Sequence, residues 1–300
     1  MNILITGGTG FVGNALTSYF HKRNDHVYIL TRSPQKHANL EKTTFIGYDH
    51  PPRELPAMQV VINLAGESLF GYWTKAKKER IINSRITTTK KLIAFIQELP
   101  KLPGVFISGS AVGYYGTSED LMFSENTTKP GDDFLAKVTV QWENTAKEAE
   151  TLGIRTVFTR FGIVLGNEGA LPFMSLPVKL FVGGKIGNGE QWISWIHIED
   201  AVRLIAYCID NERITGPVNI TAPHPKQNKA YIRTLANVLH RPYWLPVPSL
   251  FVFSVLGEMA QLITKGQYVI PQKALDYQFS FSFPYLEEAL RQIVRSSKSK

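Results

Sequence analysis

The first thirteen residues constrain the fold most strongly, because a short apolar segment leads directly into a cluster of glycines. Ile3, Leu4 and Ile5 form the continuous apolar run that is typical of a strand buried on both faces. After the glycines, apolar residues from Phe11 to Phe20 recur at helical spacing. The order of buried strand, glycine turn and helix therefore predicts the opening of a βαβ unit in an α/β protein.

The glycine cluster has the spacing of a turn that binds dinucleotides. Gly8, Gly10 and Gly13 fit the pattern G-x-G-x-x-G, and Gly7 with Gly10 and Gly13 fits a closely related one. The first glycine permits a sharp turn, the second lets backbone N–H groups reach a pyrophosphate, and the third lets the helix approach the sheet. Phosphates then lie at a helix N-terminus, where negative charge is favoured. The predicted phosphate-binding residues are Gly7, Thr9, Gly10, Phe11, Val12 and Gly13; the alternative is a glycine turn that binds no nucleotide.

The end of the second predicted strand distinguishes the two nicotinamide dinucleotides. An Asp or Glu at this place would bind the ribose 2′-hydroxyl of NAD. Residues 26–30 form the apolar run, and Thr31, Arg32 and Ser33 follow it without a carboxylate. A guanidinium beside a hydroxyl suits a 2′-phosphate. Arg32 and Ser33 therefore predict NADP rather than NAD as the cofactor; the alternative is an ordinary solvated arginine.

Strands alternate with helices over the first half of the chain. Apolar runs at 60–64, 105–108 and 155–158 are predicted strands, and helical spacing covers 74–98 and 133–151. This alternation predicts a doubly wound parallel sheet with right-handed crossovers. We expect a cofactor-binding domain at 1–165, a strand at 217–221 that joins its sheet, and a smaller, mostly helical substrate lobe at 166–295. Serine and lysine dominate 296–300 and predict a disordered tail.

Composition argues against several other classes of protein. The net charge of +8 is a mild excess, and no aromatic–basic pattern of a nucleic-acid-binding module is present. The spacing of His and Cys does not fit a metal site. The longest apolar stretch is too short to span a bilayer, and the single cysteine, Cys208, is consistent with the cytosol. We therefore expect a cytoplasmic monomer or homodimer that acts on a small molecule, without nucleic acid, membrane or metal as a partner.

Three motifs lie where predicted strands end, at residues 6–13, 63–66 and 108–110. Together they resemble the extended short-chain dehydrogenase/reductases of the NAD(P)-dependent epimerase/dehydratase superfamily. Residues 84–86, 110–116, 191–197 and 216–219, with short motifs between 241 and 259, resemble one atypical branch, the epimerase family proteins, which have a small helical C-terminal extension. The resemblance implies a Rossmann-type domain and a C-terminal lobe over the substrate cleft. Further cofactor-binding residues are expected at the sheet edge and cleft wall: Leu64, Ala65, Gly66, Glu67, Arg85, Ser108, Gly109 and Arg160.

Catalysis in this superfamily uses a serine or threonine, a tyrosine, and a lysine four residues after the tyrosine. Ser110 matches the serine, which would orient the substrate oxygen. The stretch where the other two belong contains Phe134 and Lys137, three residues apart, and no tyrosine. Because phenylalanine cannot exchange a proton, the usual general acid/base is missing.

Three hypotheses address the missing tyrosine. Tyr114 or Tyr115 supplies the hydroxyl from another loop; Glu67 or His197 acts as the acid; or the site binds cofactor without turnover. Ser110 and Tyr114 are the catalytic candidates. The predicted function is an NADP-dependent oxidoreductase or epimerase for a small hydroxyl or carbonyl compound or a nucleotide sugar. The alternative is a regulatory protein that binds NADP(H) with a degenerate active site.

Overall fold

The computed structural model describes residues 1–298 as alternating strands and helices. The strands are β1 (Asn2–Thr6), β2 (His26–Leu30), β3 (Thr43–Ile46), β4 (Val60–Asn63), β5 (Val105–Ala111), β6 (Met122–Phe123), β7 (Arg155–Phe161), β8 (Ile163–Leu165), β9 (Trp192–Ile193), β10 (Trp195–His197), β11 (Gly216–Ile220), β12 (Lys226–Gln227) and β13 (Tyr268–Val269). The helices are α1 (Phe11–Lys22), α2 (Lys75–Gln97), α3 (Phe134–Lys147), α4 (Leu171–Lys179), α5 (Ile198–Asp210), α6 (Asn228–Leu239), α7 (Ser249–Leu256), α8 (Gln261–Thr264), α9 (Gln272–Asp276) and α10 (Leu286–Lys298).

The centre of the molecule is a seven-stranded sheet with the strand order β11-β7-β5-β4-β1-β2-β3. Each neighbouring pair in this sheet is parallel. From β1 the chain builds outward through β2 and β3, and then crosses back to place β4 on the other side of β1. Such a reversal opens a crevice at the carboxyl ends of the strands, where ligands bind in open α/β sheets. The predicted α/β fold with a doubly wound parallel sheet is confirmed.

Helices cover both faces of the sheet. On one face α1 and α5 bury Leu16 and Leu204 in a cluster with Ile3 of β1. On the other face Leu92 of α2 belongs to a second cluster with Leu4. The apolar strand residues therefore contact helices on both sides, as the continuous apolar run at β1 requires. Because α5 packs with α1, the chain returns to this domain for a helix as well as for β11, which the sequence pattern did not indicate.

The C-terminal lobe has its own core. Trp195, Tyr231 and Leu290 pack together from β10, α6 and α10. The lobe also contacts the cofactor-binding domain. Met259, just after α7, packs in a cluster with Trp73, which lies two residues before α2. The lobe is mostly helical, and it meets the domain beside the loop that follows β4.

Two expectations concern the later part of the chain. The last strand of the sheet, β11, begins and ends one residue earlier than the predicted 217–221. Helix α10 extends as far as Lys298, where the hydroxyls of Ser296 and Ser297 donate to the carbonyls of Ile293 and Val294; disorder of the tail stays a prediction. Residues 299–300 of that predicted tail lie outside the described residues. Within residues 1–298, no helix has both the length and the apolar character that crossing a bilayer requires.

Candidate cofactor and substrate site

The glycine turn between β1 and α1 is packed too closely for side chains at two of its positions. Gly7 has a φ of +74°, and a Cβ there would lie 2.7 Å from the carbonyl of Leu64. A Cβ on Gly13 would lie 2.3 Å from the carbonyl oxygen of Gly7. Gly7 therefore allows the turn to pass under the loop after β4, and Gly13 allows α1 to press against the turn.

The N-terminus of α1 presents backbone donors at the sheet edge. Gly10 is the N-cap residue and makes no side-chain capping bond, and the first turn of α1 contains no acidic residue. Thr9 and Gly10 are exposed, whereas Phe11 and Val12 are half-buried. The ring of Phe11 packs against Gly166 and Gly169 of the chain beyond β8. This cradle fits the pyrophosphate of a dinucleotide, which needs backbone N–H groups and the positive end of a helix dipole.

Arg32 lies exposed at the end of β2, on the same edge as the glycine turn. The neighbouring backbone N–H of Ser33 donates to the hydroxyl of Thr31 over 3.4 Å. A hydrogen bond from Lys77 lowers the pKa of Glu67, and the positive charges of Arg80 and Arg32 act in the same direction. Because β2 and β4 flank β1, Arg32 and the loop after β4 lie on either side of the glycine turn.

The loop after β4 is fixed to α2 by polar contacts. Leu64 continues the ladder, because its N–H donates to the carbonyl of Thr6 over 2.9 Å. Glu67 accepts from Lys77 over 2.7 Å, and its N–H donates to the hydroxyl of Ser84 over 2.9 Å. Leu64 and Ala65 are half-buried, and Gly66 is exposed between them and Glu67. This segment, predicted to bind the cofactor, is thus a supported loop directly over Gly7.

Arg85 of α2 reaches this loop with a largely desolvated guanidinium. Its Nη1 donates to the carbonyls of Glu67 and Ile81, and its Cζ lies 5.1 Å from the ring centroid of Trp142. A Cβ on Gly66 would lie 3.2 Å from the Cζ of Arg85. Burial lowers the pKa of Arg85 to about 10. A cation in such surroundings attracts an anionic ligand.

Ser108 and Gly109 lie inside the sheet, below its edge. Ser108 is fully buried, and its carbonyl accepts from the hydroxyl of Thr159 over 3.0 Å. A Cβ on Gly109 would lie 2.8 Å from the ring of Trp142 and 3.0 Å from the carbonyl of Asn63. Both residues bring β5 close to its neighbours; their contact with a cofactor stays a prediction.

A buried polar network occupies the corner where catalytic side chains are expected. Ser110, Arg160 and Asn219 are register partners on three adjacent strands. Arg160 makes two hydrogen bonds to Glu143, each 2.8 Å long, and Ser110 donates to the same carboxylate over 2.5 Å. Burial alone would lower the pKa of Arg160, but the bonds and charge of Glu143 raise it, so the guanidinium stays charged. The guanidinium of Arg160 thus makes its hydrogen bonds to groups within the protein.

The two tyrosines after β5 extend this network. The ring of Tyr114 lies over Arg160, with 3.5 Å from the Cζ to the ring centroid, and its hydroxyl donates to the carbonyl of Thr128. The hydroxyl of Tyr115 accepts from Arg160 and donates to Asn219 over 2.8 Å. Burial raises the pKa of Tyr115 to about 12. The catalytic roles of Ser110 and Tyr114 stay predictions, and each hydroxyl donates to another part of the protein.

Phe134, near the place where the family's tyrosine is expected, makes an apolar contact. Phe134 begins α3 and packs edge-on against Trp73, with 5.4 Å between ring centroids. Lys137 is exposed, and its N–H donates to the carbonyl of Asp133. The start of α3 therefore packs through its ring on the segment just before α2, and Phe134 has no group that could transfer a proton.

His197, one of the two residues considered as an alternative acid, has structural partners at both ring nitrogens. His197 is buried at the N-cap of α5, where its Nδ1 accepts from the N–H of Glu199 and its Nε2 bonds to Gln292.

Glu143 was not singled out from the sequence. A signal was present, because it lies four residues after Thr139 and three before Ala146, both buried on the same face of α3.

Comparison with known proteins places this site in a family. A family model described as "NAD dependent epimerase/dehydratase family" matches residues 3–221. The chain belongs to this family. A second model, described as a domain of unknown function (DUF1731), matches residues 247–293. The resemblance inferred from the motifs is therefore confirmed, and α7 lies in the uncharacterised domain.

Individual members of the family match along the whole chain. Epimerase family protein YfhF of Bacillus subtilis is 45% identical over 100% of both chains. The crystal structure of human epimerase family protein SDR39U1 with NADPH is 31% identical, with a TM-score of 0.89, over 98% of this chain and 99% of that one. A nucleoside-diphosphate sugar epimerase from Corynebacterium glutamicum is 29% identical, with a TM-score of 0.77, over 98% of this chain and 58% of that one. Family membership and fold support NAD(P)-dependent chemistry of the oxidoreductase type.

Proposed function

We propose that this protein binds NADP(H) at the glycine turn and acts as an oxidoreductase or epimerase on a compound with a hydroxyl or carbonyl group. The observation that carries the cofactor preference is the exposed Arg32 at the end of β2, where no carboxylate follows the strand. The cradle at α1 and the NADPH in the human relative support the same preference. When bound, the nicotinamide would supply or accept a hydride.

The cofactor preference is tested by titrating NADPH and NADH against the wild type and Arg32→Asp, with calorimetry as the measurement. We expect the wild type to prefer NADPH by about tenfold or more, since a charge-assisted hydrogen bond contributes roughly 1.5–3 kcal/mol. Arg32→Asp should reverse the preference. Lys101→Asp makes the same charge change just before β5, at the opposite edge of the sheet, and should leave it unaltered. A wild type that prefers NADH overturns the proposal.

In the catalytic part of the proposal, Ser110 orients the substrate oxygen and Tyr114 exchanges the proton. Support comes from their position in one network: Ser110 donates to the carboxylate that binds Arg160, and the ring of Tyr114 lies over the guanidinium of Arg160. Ser110→Ala and Tyr114→Phe should abolish NADPH oxidation in a screen of carbonyl compounds and nucleotide sugars, while NADPH binding stays unchanged. Unaltered kinetics in both variants would remove these assignments.

The second candidate function is binding of NADP(H) without turnover, as in a regulatory protein. A specific observation favours it: Phe134, near the expected place of the family's tyrosine, packs against Trp73. In that case NADPH binds tightly, no substrate in the screen is turned over, and Ser110→Ala changes only stability. Sustained NADPH oxidation with any substrate rejects this candidate.

A further inference from the structure

Six exposed aromatic side chains lie on elements that neighbour the proposed site or contact one another, and we call them the aromatic collar. Each has between 44% and 65% of its surface exposed. They are Phe70, Tyr72, Phe173, Phe181, Trp244 and Phe251. An exposed apolar surface of this extent is uncommon on a monomer and marks a place of binding.

Contacts between separate elements connect members of the collar. The rings of Phe70 and Phe173 lie 5.0 Å apart, which joins the loop after β4 to α4. The indole N–H of Trp244 donates to the carbonyl of Phe181, just beyond α4. The hydroxyl of Tyr72 donates to the carbonyl of Val255, so the far end of α7 returns to the loop after β4.

The collar is continuous with the cofactor turn. Phe70 and Tyr72 lie on the loop that begins with Leu64 above Gly7. Phe173 lies on α4, which follows the glycines packed on Phe11 at the start of α1. Both elements therefore lie next to the glycine turn at the carboxyl edge of the sheet. This continuity favours a substrate, rather than a distant partner, as the occupant.

The collar favours an apolar occupant over a sugar. The phenol of Tyr72 and the indole N–H of Trp244 already donate to backbone carbonyls, those of Val255 and Phe181. They leave little for the hydroxyls of a sugar, which need donors and acceptors in return. Leu250 is 85% exposed next to Phe251. The other residues of α7 are also apolar, except for two serines. One cation, Arg241, stacks on Phe181.

We propose that the aromatic collar is the entrance to the substrate site and holds the apolar body of a ketone or aldehyde, or of the corresponding alcohol. The inference rests on the proposed function and narrows its substrate class away from nucleotide sugars. Reduction of such a ketone places a hydride from NADPH on the carbonyl carbon and a proton on the oxygen, leaving the alcohol and NADP⁺.

The test is a binding titration of linear methyl ketones from six to twelve carbons, followed by tryptophan fluorescence in the presence of saturating NADP⁺. Affinity should rise about three- to fourfold for each added methylene, as expected for burial of an apolar chain. UDP-glucose should bind more weakly than the longest ketone. Phe173→Ser and Phe251→Ser should each weaken the longest ketone about tenfold or more. Leu40→Ser, at an exposed apolar residue before β3, should have no effect.

Separate readouts distinguish failure of this inference from failure of the proposed function. Binding of NADP⁺ and oxidation of NADPH are measured on the same samples, so a protein that binds ketones without turnover contradicts only the proposed activity. Affinity that is independent of chain length, or tighter binding of UDP-glucose, overturns the inference. So does a dimer in light scattering that Phe251→Ser dissociates, because a second copy would then cover the collar.

Discussion

The cofactor cradle and the catalytic corner lie on the same sheet edge and are built in opposite ways. At the cradle the chain leaves space, because Gly7 and Gly13 have no side chains and Gly10 begins α1 without a capping group. Three strands away, Arg160 of β7 and Glu143 of α3 fill the corner and bond to each other and to their neighbours. The cradle presents its donors to a ligand, whereas the corner uses its donors internally.

This difference separates two tasks that a dehydrogenase active site combines. Holding a dinucleotide requires backbone geometry and a cation, and both are present at the cradle. Exchanging a proton requires a hydroxyl or another titratable group facing the substrate. In the corner, Ser110 and Tyr114 donate to Glu143 and Thr128. Cofactor binding is therefore the better supported of the two tasks.

The largest expected effect concerns the corner. Glu143→Leu leaves Arg160 charged and unpaired, with 4% of its side chain exposed. We expect a loss of about 3–5 kcal/mol in the free energy of unfolding, measured by urea denaturation. The double variant Glu143→Leu/Arg160→Met removes both charges and should recover most of the loss. A loss below about 1 kcal/mol for the single variant would show that this pair does not hold the corner together.

A smaller effect is expected at the cradle. In Gly13→Ala the new Cβ would lie 2.3 Å from the carbonyl oxygen of Gly7, so backbone must shift. We expect a loss of about 1–3 kcal/mol in stability together with weaker NADPH binding. In Gly104→Ala the added Cβ would lie 3.8 Å from the carbonyl of Gln59, and stability should change by less than about 0.5 kcal/mol. Equal effects of the two substitutions would contradict the close packing of the turn.

The same contrast explains what the sequence could predict. The cradle is a local feature, since strand, glycines and helix follow one another within 22 residues. The corner depends on distant contacts: Ser110 and Glu143 are 33 positions apart, and Tyr115 and Asn219 are 104 apart. No local spacing specifies such pairs. The motif resemblance located Ser110 and Arg160, but it did not indicate that Glu143 would bind them both.

The smallest expected effect is a pH dependence at the lobe. Burial lowers the pKa of His197, so the unfolded chain binds a proton more readily than the folded one. The stability contributed by neutral His197 is present above about pH 6.5 and is lost as the pH falls below that value. His197→Asn keeps an N-cap acceptor without titrating. Its stability should therefore fall less between about pH 7.5 and 5.5, as thermal unfolding would show; parallel curves would contradict the assignment.

The most direct test of the cofactor assignment is a ³¹P NMR titration of the 2′-phosphate of NADP⁺ bound to the wild type. The second pKa of a free phosphate monoester lies near 6. If Arg32 holds this group, its midpoint should fall by about one pH unit or more on binding, and Arg32→Gln should abolish the shift. A bound phosphate that titrates like the free cofactor would contradict the account.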